Sequence, residues 1–155
     1  MCSGDAKDAS NLAEGVPSMT TKDFSDDGIM LKDIAQFDLT QEMMDSEQRK
    51  PWPMGRYAKT LFKKPDFRMV LVSMEKGSTL KEHHADGTIS VQILQGALRF
   101  TVQGKAYELR ANNVLTLGAS IQHEVEALDA SVFLLTISWP SAAKLKALEH
   151  RGYDV

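Results

Sequence analysis

The sequence has almost no cysteine, no long apolar run, few aromatics and no strong charge of either sign, and each shortage excludes something. Cys2 is its single cysteine, so no internal disulfide can form, and its setting in a polar N-terminal tail argues against a nucleophile; both points fit a reducing, cytoplasmic compartment. No apolar run precedes it, as a lipoprotein signal would need, so secretion is not expected. No stretch approaches the roughly 18 apolar residues that a membrane-spanning helix needs, so a membrane is not an expected partner. Aromatic residues make up 7% of the chain and the formal net charge is −3, which gives no electrostatic reason to expect nucleic acid. Glycine-rich phosphate loops, Cys-x-x-Cys pairs and nucleophile elbows are missing too.

What remains is 155 residues, enough for one domain that buries about two-thirds of its unfolded surface without disulfides or metals. Residues 1–27 are rich in Ser, Asp, Lys, Gly and Ala and read as a mobile polar arm. Residues 28–53 form a packing arm or short helix leading into the body. Within them Thr40 to Gln48 suits a short helix capped by Thr40, with Met43 and Met44 facing inward. Lys50-Pro51-Trp52-Pro53 is a rigid, irregular entry.

From residue 54 to residue 140 the pattern is that of strands. Arg56 to Lys63 and Phe67 to Met74 flank a turn at Lys64-Pro65-Asp66. Leu98 to Val102 and Lys105 to Leu109 form a hairpin through Gln103-Gly104. Asn113 to Leu117, His123 to Leu128 and the nearly continuous apolar run Ser131 to Ser138 follow. Residues 141–155 read as a short helix, capped by Ser141 and ended by Gly152, and a tail. Roughly ten short, evenly spaced strands with helices only at the ends specify an all-β, small antiparallel barrel or jelly roll.

Two stretches repeat one plan. Gly77 to Gly96 (GSTLKEHHADGTISVQILQG) runs from a turn glycine through a short strand to His83 and His84, turns at Asp86-Gly87 and continues as an alternating strand. Asn112 to His123 (NNVLTLGASIQH) again has turn residues, a strand, a small-residue turn and a histidine. Each unit delivers an imidazole to the end of an element, as two halves of one site would.

These stretches resemble the two motifs of the cupin superfamily, in the small single-domain form. The first motif is Gly, five residues, His-x-His, three or four residues, Glu, six residues, Gly. Gly77, His83, Ala85, Ile89 and Gly96 stand at its positions. The second is Gly, five residues, Pro-x-Gly, two residues, His, three residues, Asn, and here Asn112, Gly118, Ser120, His123 and Ala127 occupy the places. The resemblance implies a cupin-like barrel. It also implies a metal held by three histidines and a glutamate, but Ala85 and Ile89 stand at two of those four positions, so the motifs are degenerate. His83 and His123 survive as candidate metal ligands, with His84 as a substitute if a bulge turns both neighbours inward.

Two functional readings follow. In the first, the barrel binds a small molecule in an apolar pocket. Ile89, Val91 and Ile93 share one strand face and, with Phe100, form its wall, while His83 and His123 supply the polar contacts. In the second, it is a metal-dependent enzyme of dioxygenase, isomerase or lyase type, holding one divalent ion of iron, manganese, nickel or zinc on His83, His123 and His84. The first reading is preferred, since it requires no complete metal shell. Trp52, Met54 and Tyr57 line a barrel mouth or form a packing lid. Arg56, Lys59, Lys63, Lys64 and Arg68 form a basic cluster that suits either an anionic ligand or a charge-protected strand edge. A homodimer, formed through the outer sheet and the N-terminal arm, is compatible with both readings.

Overall fold

The structure, a computed structural model, describes residues 34–139 and Ser141. The polar arm, residues 28–33 and the C-terminal helix expected from the sequence lie outside the described residues. The rest opens with helix α1 (Leu39–Gln48) and a single 3₁₀ turn at Pro53–Gly55, and then runs through nine strands: β1 (Arg56–Lys64), β2 (Phe67–Met74), β3 (Thr79–His83), β4 (Thr88–Gln95), β5 (Ala97–Val102), β6 (Lys105–Arg110), β7 (Val114–Leu117), β8 (His123–Ala127) and β9 (Ser131–Ser138). No helix among the described residues is long and apolar enough to cross a membrane.

The strands form two antiparallel sheets, one ordered β1-β2-β9-β4-β7 and the other β3-β8-β5-β6. Alternation decides which side chains go between them. On β4, Ile89, Val91 and Ile93 point inward and are almost fully buried, while Thr88, Gln92 and Gln95 are exposed. The same parity sends Val70, Val72 and Met74 of β2, Leu98 and Phe100 of β5, and Phe133, Leu135 and Ile137 of β9 into one interior cluster. Side chains of this kind stabilise by about 1.5–3 kcal/mol each when fully buried. The barrel interior therefore carries most of the folding energy.

A second, smaller cluster lies on the outer face of the five-stranded sheet. Leu61, Leu71 and Val132 form its buried centre, and Phe37, Leu39 and Met43 pack over them from the α1 segment. Asp38 rather than Thr40 caps the helix, its carboxylate accepting hydrogen bonds from the amides of Thr40 (2.9 Å) and Gln41 (3.2 Å). An aspartate one position before the first turn outcompetes a threonine already inside it. Met43 faces the sheet as expected, but Met44 does not: it is 54% exposed. The face that meets the sheet is completed by Ser46, one turn beyond Met43, which leaves Met44 on the solvent side.

The turns bear out the motif spacing. Gly77, Gly96, Asn112 and Ser120 occupy the four glycine positions of the two motifs, and all four have positive φ, at 80°, 82°, 71° and 64°. Asparagine is among the non-glycine residues that tolerate this region best; serine adopts it less readily. Gly96 has a second reason to lack a side chain, because a Cβ there would stand 2.2 Å from the Ala130 carbonyl oxygen.

Candidate functional site

Both histidines of interest sit at strand ends, His83 closing β3 and His123 opening β8, and they are register partners across that pair. Reaching this arrangement requires an irregularity. Leu80 and His83 are three residues apart, a spacing that would put them on opposite faces of a regular strand. A register shift between them places two residues of β3 against one of β8. Lys81 and Glu82 are both turned outward, and Leu80 and His83 are both buried. The bulge thus lies before His83 and not after it. His84 consequently stays on the outer side, half-exposed, with its Nε2 3.6 Å from the Asp86 carboxylate.

His83 and His123 are 5% and 3% exposed. Their ring centroids are 4.4 Å apart with the planes at 62°, and Phe100 stacks against His123 at 6.1 Å. Each ring is oriented in the same way: Nδ1 of His83 meets the carbonyl of Lys81, and Nδ1 of His123 meets the carbonyl of Ile121 at 2.9 Å. A carbonyl can only accept, so both Nδ1 atoms carry the proton and both Nε2 atoms carry the lone pair in the neutral ring. Burial pushes both imidazoles below their usual pKa. For His83 the bond to Lys81 opposes this and the charges of His84 and Arg56 add to it. For His123 the bond to Ile121 opposes, and His83 and His84 add. The pair is therefore neutral around pH 7, with two acceptors and no donor left to offer.

The two rings line a narrow cavity of about 310 Å³ including the part open to solvent. The other lining residues are Val72, Leu80, Ile89, Val91, Phe100, Val125, Phe133 and Leu135. Among the residues expected from sequence, His83, His123, Ile89, Val91 and Phe100 come together here. Ile93 is interior but not on the cavity wall. Trp52 and Tyr57 are elsewhere. Tyr57 is the register partner of Ser73, on the outer face, whereas its neighbour Ala58 packs against the interior. Trp52 stacks on Tyr57 at 6.4 Å and donates its indole N–H to the Ser46 carbonyl at 2.9 Å, so the pair secures α1 and is not among the residues lining this cavity. Val72, Leu80, Val125, Phe133 and Leu135 were not singled out in the sequence. Their signal was ordinary strand alternation, which becomes specific only once the pairing of sheets is known.

A metal shell of the four-ligand kind does not fit these residues. Ala85 is buried at the second histidine position, and its carbonyl accepts a hydrogen bond from the Ser120 amide at 2.7 Å, tying the two motif turns together. Ile89 is buried at the glutamate position. No group of three or more His, Cys, Asp or Glu residues able to hold a metal ion occurs among the described residues. Two imidazoles alone leave at least half of a tetrahedral shell unfilled.

Known structures place this architecture. The chain is similar to a conserved protein of unknown function from Streptococcus pyogenes, at 24% identity and a TM-score of 0.58, covering 73% of this chain and 94% of that one. It is similar to a cupin superfamily protein from Desulfitobacterium hafniense, at 20% identity and a TM-score of 0.53, over 60% of this chain and 94% of the other. A cupin 2 conserved barrel domain protein from Leptotrichia buccalis shares 29% identity at a TM-score of 0.55, over 60% of this chain and 45% of that one. No protein-family model and no curated protein matches the sequence. The fold is that of a small cupin-type barrel.

Proposed function

We propose that this cupin-type barrel binds a small molecule that has an apolar body and a hydrogen-bond donor, with the donor held between His83 and His123. The observation that carries the reading is the matched orientation of the two rings. Each Nδ1 is satisfied by a backbone carbonyl, and each Nε2 keeps its lone pair in an otherwise apolar cavity. With its Nδ1 bonded to the backbone, each neutral ring has an Nε2 acceptor to offer, and a hydroxyl, amine or water between the two rings can meet it. The apolar wall supplies affinity and the histidines supply orientation, the usual division of labour in small-molecule sites. The narrow interior favours a slender ligand over a bulky one.

The test has two parts. Untagged protein purified without chelators or added metal is assayed for metal, beside the His83→Ala, His123→Ala double variant. The wild-type protein is then titrated with hexane-1,6-diol, a slender neutral donor, while the imidazole resonances are followed by NMR. The expected result is no stoichiometric metal and ligand-dependent shifts of both histidines. Stoichiometric metal that disappears in the double variant would replace this reading with the metal-dependent enzyme, and unmoved imidazole resonances would remove the donor-binding role.

A further inference from the structure

The cavity lies to one side of the barrel. Strands β2, β3, β4, β5, β8 and β9 line it, and β1, β6 and β7 do not. Of the lining strands only β3 is a sheet edge. The two sheets meet along two seams, one where β1 and β3 run side by side and one where β6 passes into β7. At the first, the Arg56 guanidinium at the start of β1 donates to the Thr79 carbonyl at the start of β3, at 2.6 Å, and Gly55 lies close to Ser78 just before them. At the second, residues 111–113 connect the strands, and the Asn113 amide donates to the Arg110 carbonyl at 2.9 Å.

The two seams are built differently. Tyr107, Leu109, Leu115 and Leu117 fill the β6–β7 seam against the interior cluster, and both strands pair with their neighbours without a register shift. On the inner side of β1 the corresponding residues are Ala58 and Thr60, partners of Val72 and Val70. Ala58 packs on the interior cluster but stays half-buried, whereas Val72 beside it is 1% exposed. Both strands of this seam also carry a bulge. Leu61 is the extra residue on β1, between Thr60 and Phe62, and β3 has its own between Leu80 and His83. Beyond the first bulge Lys63 comes onto the inner row, opposite Arg68. Bulges at sheet edges terminate pairing, and among the described residues no strand pairing joins β1 to β3. Backbones that share no ladder stand farther apart than the ~4.8 Å of paired strands. A slit therefore runs from the Arg56–Thr79 contact toward His83, flanked by the Ala58 stretch of β1 and the Leu80 stretch of β3. Burial first, and the charge of Arg56 among the lesser causes, hold His83 below its usual pKa, which puts the inner side of β1 within electrostatic reach of that imidazole.

We infer that the ligand enters through this slit and that Ala58 sets the width admitted, so that the site takes unbranched chains with a terminal hydroxyl and refuses branched ones; this rests on the binding role proposed above and adds the ligand's shape and route. Val72, Leu80 and His83 are the lining residues next to the slit, Val72 as the direct partner of Ala58. A chain that passes Ala58 thus arrives at the apolar wall and at an imidazole together. The methyl side chain leaves room there that any larger residue would take. At the other seam, four large side chains stand in the way.

Blocking the slit tests the route separately from the cavity. Cys2→Ser removes the single cysteine; Ala58→Cys or Tyr107→Cys then marks one seam or the other and is alkylated with N-benzylmaleimide. Hexane-1,6-diol is titrated into each protein, with and without the label, while the His83 and His123 imidazoles are followed by NMR. The label at position 58 should weaken binding about tenfold or more, since it overfills the passage, and the label at position 107 should leave binding unchanged. 2,5-Dimethylhexane-2,5-diol, whose hydroxyl carbons are branched, should bind wild-type protein more weakly than the straight diol. Ala58→Leu plugs the slit without a label and should weaken the straight diol too; thermal melts of each variant verify folding. Equal binding before and after labelling at position 58, equal loss at both positions, or an unchanged affinity in Ala58→Leu overturns the route. Equal binding of the two diols overturns the selection by width. If the unlabelled protein shows no imidazole shift with either diol, the cavity reading falls and the route falls with it.

Discussion

Two of the places where the described residues bury polar side chains treat them oppositely. Under α1, on the outside of the five-stranded sheet, they satisfy one another. The Ser46 hydroxyl lies 3.0 Å from that of Ser73 and 2.8 Å from the Met43 carbonyl, and the Trp52 indole donates to the Ser46 carbonyl. Inside the barrel, each histidine has one nitrogen satisfied by the backbone, and the two rings line an otherwise apolar cavity. Buried polar groups ordinarily find partners, because an unmade bond costs about 1–3 kcal/mol. A closed set of bonds is what a structural latch requires. Two rings that each keep a second nitrogen free of the backbone are what a binding site requires.

The largest effect that would sharpen this contrast is expected at the latch. Trp52→Ala should destabilise the protein by about 3–5 kcal/mol through lost packing and the lost indole bond, measured by chemical denaturation, while leaving the affinity for hexane-1,6-diol unchanged at conditions where the variant is folded. A parallel loss of affinity in the folded variant would erase the distinction between the two regions. The converse variant is His83→Ala with His123→Ala. It should abolish the diol-dependent NMR response of the cavity, and change stability by less than Trp52→Ala does, since no closed network is broken.

Smaller effects divide in the same way. Ser46→Ala should cost about 1–2 kcal/mol, as one member of a satisfied buried group is removed and Ser73 loses its partner. The histidines should respond to pH instead. Their pKa values are lowered in the folded protein, so the unfolded chain binds more protons once the pH falls below the ordinary imidazole value of 6.5. Stability should therefore be fully present above that value and decline as the pH falls toward the folded-state pKa values. Replacing both histidines with glutamine should flatten that part of the profile. A decline of the same size in the glutamine variant would assign it to other groups.

Much of the fold was legible because strands with one buried face advertise their period. β2 and β9 have the bounds expected from their apolar runs and flanking turn residues, and the four motif positions with positive φ fall where the glycine spacing puts them. The convergence of His83 and His123 was also legible, from two matching turn-strand-turn units. Three things were not. The bulge between Leu80 and His83 leaves no mark in composition, since Lys81 and Glu82 are ordinary strand residues, and it alone decides that His84 faces out. The role of Trp52 and Tyr57 depended on which face of β1 meets α1, which is a tertiary choice. The inward direction of Lys63 depended on a second bulge, between Thr60 and Phe62, equally silent in the sequence.

The central claim is that His83 and His123 present two unprotonated Nε2 atoms to the cavity. Long-range ¹H–¹⁵N correlation spectra of the imidazoles at neutral pH test it most directly. The account predicts that both rings are neutral with the proton on Nδ1, and that both Nε2 resonances shift when hexane-1,6-diol is added. A ring that carries its proton on Nε2, or that is doubly protonated at neutral pH, would contradict it.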